Sequence, residues 1–252
     1  MMRASSPAVE NAVEIDLDAN DTGREFEGWG ALSAGATSVF LRDYPEPYRS
    51  DILDFLFKPQ FGLSMHHLKV EIGSGMDSTC GAEPSHAITP EELKDPVPRG
   101  YEFWLAAEAR KRNPDIILGA LPWGTPYWTR DYTTKEAADW AVAFLNTAKK
   151  HYGLDFQYIG GVQNELMAMI GKKGDPDEMQ RPFTFIKKYL RPALDKAGYT
   201  NVQIVAADYY NPRHGFKYKW SVIKRVMNDP ELDKAVDVIG YHYPVGYLES
   251  YR

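Results

Sequence analysis

The chain has 252 residues, a formal net charge of −6 and one cysteine, Cys80. That length suits one (β/α)8 barrel and allows a large core. Mild acidity without a basic block argues against nucleic acid as the main partner, and a lone thiol excludes an intrachain disulfide or a cysteine-based metal site.

The opening residues, Met1-Met2-Arg3-Ala4-Ser5-Ser6-Pro7, lack the apolar region of a signal peptide, and no stretch reads as a transmembrane segment. The compartment stays open. Aromatic residues are plentiful, with 16 Tyr and 6 Trp. That excess suits a carbohydrate cleft, where sugar faces stack on rings, and equally a packed core. Residues 1–25 are polar; Val13, Ile15 and Leu17 alternate as in one short strand. Phe26 to Ser33 reads as a first barrel strand, followed by the turn Ala34-Gly35-Ala36-Thr37, whose spacing fits neither nucleotide fingerprint. Tyr48 to Phe57 has apolar residues at helical spacing.

Ser64 to Gly73 is the second predicted strand. Met65, His67, Lys69 and Glu71 share one face, and His66, Leu68, Val70 and Ile72 the other. The adjacent histidines point to opposite faces and cannot chelate one ion, so no metal site is expected, and no cofactor. Lys69 and Glu71 should pair with each other or with neighbours. Gly73 to Pro98 forms a long loop; loops of this length in compact domains are usually functional or disordered. Its polar candidates are Thr79, Glu83, Ser85 and His86. Tyr101 to Arg112 is an amphipathic helix ended by Asn113-Pro114. Ile116 to Leu121 is a third, buried strand. Pro122-Trp123-Gly124-Thr125-Pro126 follows it as a rigid loop, in which Trp123 is either a cleft wall or a lid over the core.

Thr134 to His151 is the next helix, and Leu154 to Ile159 the fourth strand. Beyond it stand Asn164 and Glu165. An amide and a carboxylate side by side at a strand tip must be hydrogen-bonded or wet. In a parallel barrel, reactive groups come from such C-terminal strand ends; elsewhere the pair is an ordinary polar strand end. Asp175-Pro176-Asp177-Glu178 is an incomplete calcium loop and reads as a helix N-terminus. Phe183 to Ala197 is a helix stopped by Gly198. Val202 to Asp208 is strand five, Trp220 to Asn228 a helix, and Val236 to Pro244 strand six. Alternating βα units imply a parallel sheet. Residues 26–252 read as one partial barrel whose seventh and eighth strands would lie past Arg252, or else as a six-stranded doubly wound sheet.

Several stretches together resemble glycoside hydrolase family 59, the galactocerebrosidase (galactosylceramidase) family. They are Tyr44-Pro45-Glu46-Pro47-Tyr48-Arg49-Ser50, Leu68-Lys69-Val70-Glu71-Ile72-Gly73, Glu83-Pro84-Ser85-His86, Arg99-Gly100-Tyr101-Glu102, Lys111-Arg112-Asn113-Pro114, Leu121-Pro122-Trp123, Tyr158-Ile159-Gly160, Asn164-Glu165 and Val236 to Pro244. Asn-Glu alone marks only the wider clan of retaining barrel glycosidases; Tyr-Pro-Glu-Pro-Tyr-Arg-Ser, Glu-Pro-Ser-His and Lys-Arg-Asn-Pro are more specific. The resemblance implies a TIM-barrel glycosidase that removes terminal β-galactose with retention, from galactosylceramide and related galactolipids in the animal members, which are lysosomal. By match, Glu165 is the general acid/base and Asn164 bonds the sugar 2-hydroxyl, while Thr79 and Trp123 fall where the family contacts galactose.

Three departures stand out. The family's Trp-Asn-Glu-Arg reads Gln163-Asn164-Glu165-Leu166 here. The family's nucleophile lies at the end of strand seven; Glu249, the last glutamate, follows no apolar strand and reads as a surface residue. The sandwich and lectin-like domains that follow the barrel in the animal enzymes are not expected within these 252 residues. An N-terminal fragment with little or no hydrolytic activity is therefore expected, and its open barrel edges invite self-association. A galactoside-binding module and another retaining glycosidase of the clan, such as a glucosidase or xylanase, are the competing readings.

Overall fold

The computed structural model describes residue 20 and residues 22–77, 81–161, 176–209 and 221–241. Six strands form one sheet: β1 (Gly30–Ser33), β2 (His67–Glu71), β3 (Ile117–Leu121), β4 (Tyr158–Gly160), β5 (Gln203–Tyr209) and β6 (Val238–Tyr241). Each is hydrogen-bonded to the next in chain order, and every pairing is parallel. A doubly wound sheet reverses its strand order at a switch point. The unreversed order here removes that alternative and leaves an α/β half-barrel, with β1 and β6 as its outer strands.

The register explains which face buries what. His67 stands opposite Gly30 and Ile117, and Gly119 opposite Lys69 and Tyr158. His67, Lys69, Gly119, Leu121, Tyr158, Val205 and Val238 line a concave trough of about 540 Å³. The alternate residues Leu68, Val70, Leu118 and Ala120 point the other way and are buried under the helices. The face division expected for β2 is therefore observed for His67 and Lys69 against Leu68 and Val70, while Met65, expected on the His67 face, packs against the core. The two histidines part as expected, with His67 Nε2 on the carbonyl of Glu27 at 2.9 Å and His66 Nδ1 accepting from the amide of Trp29 at 3.5 Å.

The outer layer begins with α1 (Ser38–Asp43), α2 (Tyr48–Phe57), α3 (Glu102–Arg112) and α4 (Lys135–Tyr152). The longest of these, α4, is closed at both ends. Thr134 Oγ1 accepts from the amide of Ala137, and Gly153 takes up a left-handed conformation that returns its amide to Lys149 and Ala148. Its inner stripe buries Trp140, Phe144, Leu145 and Ala148. Arg112, ending α3, bonds Asp54 of α2 at 2.7 Å and so ties two neighbouring helices. Further along, α5 (Pro176–Phe185) widens to a π turn over Ile186–Leu190 and continues as α6 (Arg191–Lys196). Pro192, without an amide to donate into that stretch, accounts for the wider turn. Two helices, α7 (Ser221–Asn228) and α8 (Pro230–Ala235), precede β6.

Three expectations need correction. The first strand is only Gly30–Ser33; Phe26 is 76% exposed, and Trp29 merely lends its carbonyl to the amides of His66 and His67. The fourth strand is only Tyr158–Gly160: Leu154 and Phe156 are buried, but the amide of Leu154 is spent on the carbonyl of Ala148 at the end of α4. Helices α1 and α8, of six residues each, carry too few turns for the apolar pattern to show. The short strand expected at Val13–Leu17 lies outside the described residues.

Candidate active site

All strands run the same way, so their C-terminal ends share one rim, the face that carries chemistry in parallel barrels. Trp123 comes two residues after the end of β3, half-buried between the buried Pro122 and Gly124. Its loop is stiff. Thr129 Oγ1 donates to the carbonyl of Pro126 (2.8 Å) and is hydrogen-bonded with the Thr125 hydroxyl (2.7 Å), and the amide of Thr129 reaches the same carbonyl. Trp128 Nε1 donates to the carbonyl of Ala87 at 3.2 Å, stitching this loop to the one that follows β2. The two also touch beside Trp123: a Cβ on Gly124 would lie 3.2 Å from the sulfur of Met76. The loop bearing Thr79 thus starts against the loop bearing Trp123. Thr79 itself, and Asn164 and Glu165 beyond β4, lie outside the described residues.

What leads up to Asn164 and Glu165 is well defined. Gly160 ends β4 where a Cβ would stand 2.2 Å from Cδ1 of Leu121, so glycine there leaves that leucine room to reach across the strands, and a side chain would make it shift. The amide of Gly161 donates to the carbonyl of Val205 at 2.8 Å, which carries the β4–β5 pairing one residue further. The chain therefore leaves the sheet at the rim, between the ends of β3 and β5.

The other polar candidates of the β2–α3 loop turn inward. Glu83, Ser85 and His86 are all buried. Ser85 Oγ accepts from Trp140 Nε1 at 3.1 Å and donates to the carbonyl of Ala87 at 2.9 Å. The His86 ring stacks on Trp140, and its Nε2 donates to the Trp140 carbonyl at 2.9 Å. Burial, and secondarily Arg99, pushes His86 down to about 4, so the ring is neutral. The Glu-Pro-Ser-His stretch is internal wiring between the loop, α3 and α4. Sequence reasoning treated it as candidate surface chemistry, because burial of a polar loop residue leaves no periodic signal.

Reasoning from sequence also missed a buried carboxyl cluster under the rim. Glu71 at the end of β2, Glu83 in the loop and Glu102 at the start of α3 are each 2% exposed or less. Glu71 Oε2 accepts from the amide of Gly35 at 2.6 Å, and Glu102 Oε1 from the hydroxyls of Ser33 and Ser38 at 2.8 Å each. The cluster pulls the loops after β1 and β2 together. Among the described residues no group of three or more His, Cys, Asp or Glu is arranged to hold a metal ion.

A model described as glycosyl hydrolase family 59 matches residues 26–251. Galactocerebrosidase of Danio rerio is 46% identical over 230 residues, spanning 88% of this chain and 31% of that protein. Those of Mus musculus and Homo sapiens are 45% and 43% identical, over 91% and 90% of this chain and 31% and 30% of theirs. The chain thus spans about a third of the length of the curated relatives it matches. Among solved structures, an endo-β1,6-glucanase superposes with a TM-score of 0.69 at 21% identity, covering 91% of this chain and 55% of that one. The catalytic domain of a GH30 xylanase C from Talaromyces cellulolyticus gives 0.59 at 14%, covering 87% and 54%. These two likenesses show the fold alone. Extent of match and identity together assign the family: the chain belongs to glycosyl hydrolase family 59.

Proposed function

We propose that this chain supplies the acid/base half of a retaining glycoside hydrolase that removes terminal β-galactose from galactosylceramide-like galactolipids. The observation that carries the reading is Asn164-Glu165 standing just past β4 of a parallel α/β sheet in a family 59 chain. Glu165 protonates the leaving oxygen and then deprotonates water. Asn164 holds the 2-hydroxyl, and Trp123 and Thr79 bind the galactose. Retention needs a second carboxyl roughly 5–5.5 Å from the first, acting as nucleophile. The family resemblance puts that group on a seventh strand, and the sheet among the described residues has six. Residues 1–252 alone therefore bind galactosides with little or no turnover.

The test is hydrolysis of a nitrophenyl β-galactoside by residues 1–252 and by the protein made from the full reading frame. Turnover in the longer form only is the expected result. Turnover in neither, with galactose still bound, would point to a binding module. Faster cleavage of a β-glucoside or β-xyloside in an aryl-glycoside panel would move the protein to another retaining activity.

A further inference from the structure

Glu83 and Glu102 are both interior, with exposures of 2% and 1%, and the Glu83 carboxyl meets the backbone amide of Glu102. Glu83 Oε1 accepts from the amides of Tyr101 and Glu102 at 2.6 and 3.1 Å. Glu102 Oε1 accepts from Ser33 and Ser38. The second oxygen of each, Oε2, is buried and meets no hydrogen-bond partner among the described residues. The charges acting on the pair are themselves carboxylates: Glu71 on Glu83, and Glu83 and Glu71 on Glu102. Nearby cations face elsewhere. Arg42 lies over the ring of Tyr101, 4.5 Å from its centroid, and Arg99 pairs with Glu92 at 2.6 Å. Lys69 lines the trough on β2, and His86 is turned to Trp140.

Two neighbouring buried carboxylates with no cation against them among the described residues do not both stay ionised. A proton on one supplies the donor that the bare oxygens lack. We infer that the Glu83–Glu102 pair stays protonated on at least one carboxyl, and that this protonated pair pins the β2–α3 loop to the start of α3 and so positions it beneath the rim. The backbone is shaped for the pin. At Gly100, with φ of +92°, a Cβ would sit 2.1 Å from Glu83 Oε1, so the carboxyl reaches the two amides only past a glycine. Burial first, and neighbouring carboxylates after it, raises both groups from the usual 4.5 to about 7. That the pinned loop also carries a galactose contact, Thr79, rests on the function proposed above; the proton does not.

Infrared difference spectra of residues 1–252 test this directly. A protonated-carboxyl C=O band should be present at pH 5 and disappear as pH rises through about 7. Over the same range, hydrogen-exchange protection of the Tyr101 and Glu102 amides should fall by about tenfold or more and then level off. Glu102→Gln, whose amide donates permanently, should weaken the titrating band, leaving only the part due to Glu83, and hold its protection flat. Absence of the band in the wild type, or identical exchange profiles for wild type and Glu102→Gln, would overturn the inference. If the variant does not fold, the wild-type band alone decides. Neither readout depends on galactoside turnover, so the inference and the glycosidase reading fail separately.

Discussion

The imidazole of His86 lies on the indole of Trp140, centroids 5.4 Å apart and planes 19° from parallel, and donates from Nε2 to the carbonyl of that same residue. One loop histidine thereby closes the gap between the β2–α3 loop and α4. Ser85 beside it takes the Trp140 Nε1–H. Two consecutive loop residues thus satisfy both polar atoms that Trp140 offers them, and the loop follows the helix.

Ser85→Ala tests that attachment. It strands the buried indole N–H of Trp140 and takes away the acceptor of the Ala87 amide, while the Ala87 carbonyl keeps Trp128 Nε1, so stability should drop by about 1–3 kcal/mol. Urea unfolding reads it as a lower midpoint at unchanged slope. A change below about 0.5 kcal/mol, the ordinary surface value, would mean the contact is incidental.

The neutral His86 sets a pH dependence of its own. Its folded value of about 4 lies below the unfolded 6.5, so the unfolded chain takes up a proton that the folded one refuses. Stability from this group is full above 6.5 and is lost as pH falls toward 4. The Glu83–Glu102 pair runs oppositely, since values raised from 4.5 to about 7 favour the fold at acid pH. Thermal melts of His86→Gln between pH 4 and 7 should show a smaller acid-side decline, the remainder coming from carboxylates such as Glu92 that are held low by their partners, and keep the alkaline one. Equal declines in variant and wild type would contradict this.

Gly160→Ala places a methyl 2.2 Å from Leu121 Cδ1 and should cost about 1–3 kcal/mol through overpacking. Shortening the partner, as in Gly160→Ala with Leu121→Val, should return part of the loss. The double-mutant coupling reads this, and additivity of the two single effects would show that they do not meet.

How much of this was legible in the sequence depended on periodicity. Helix α4 announced itself through Trp140, Phe144 and Ala148 on one stripe with Thr134 before it, and β2 through its alternation; both were placed within a few residues. The sheet's type followed from the βα rhythm, but only the pairing order decided between barrel and doubly wound sheet. Glu83, Ser85 and His86 looked like surface chemistry because a loop residue's burial depends on what folds over it, here Trp140 and the start of α3. Glu102 was invisible for a related reason. A glutamate in the first turn of a helix ordinarily faces solvent and complements the dipole, and nothing local shows Ser33 and Ser38 waiting for it. Of the candidate substrate and catalytic residues, Trp123 is the one within the described part of the chain, on a loop whose stiffness its two prolines foretold.

Trp123→Ala should weaken galactoside recognition through a lost stacking face, by about tenfold in kcat/KM or galactose affinity. Thermal melting should shift little, because the indole is only half-buried. A large stability loss with unchanged galactose affinity would make Trp123 a lid over the core and not a cleft wall.

The most direct measurement concerns Glu165, made in the protein from the full reading frame. Glu165→Ala should cripple hydrolysis of β-galactosides with poor leaving groups far more than that of a dinitrophenyl β-galactoside, whose leaving group needs no proton. Added azide should restore turnover and yield galactosyl azide of retained configuration. Equal losses on both substrates, with no rescue by azide, would contradict the assignment of Glu165 as acid/base and with it the proposed function.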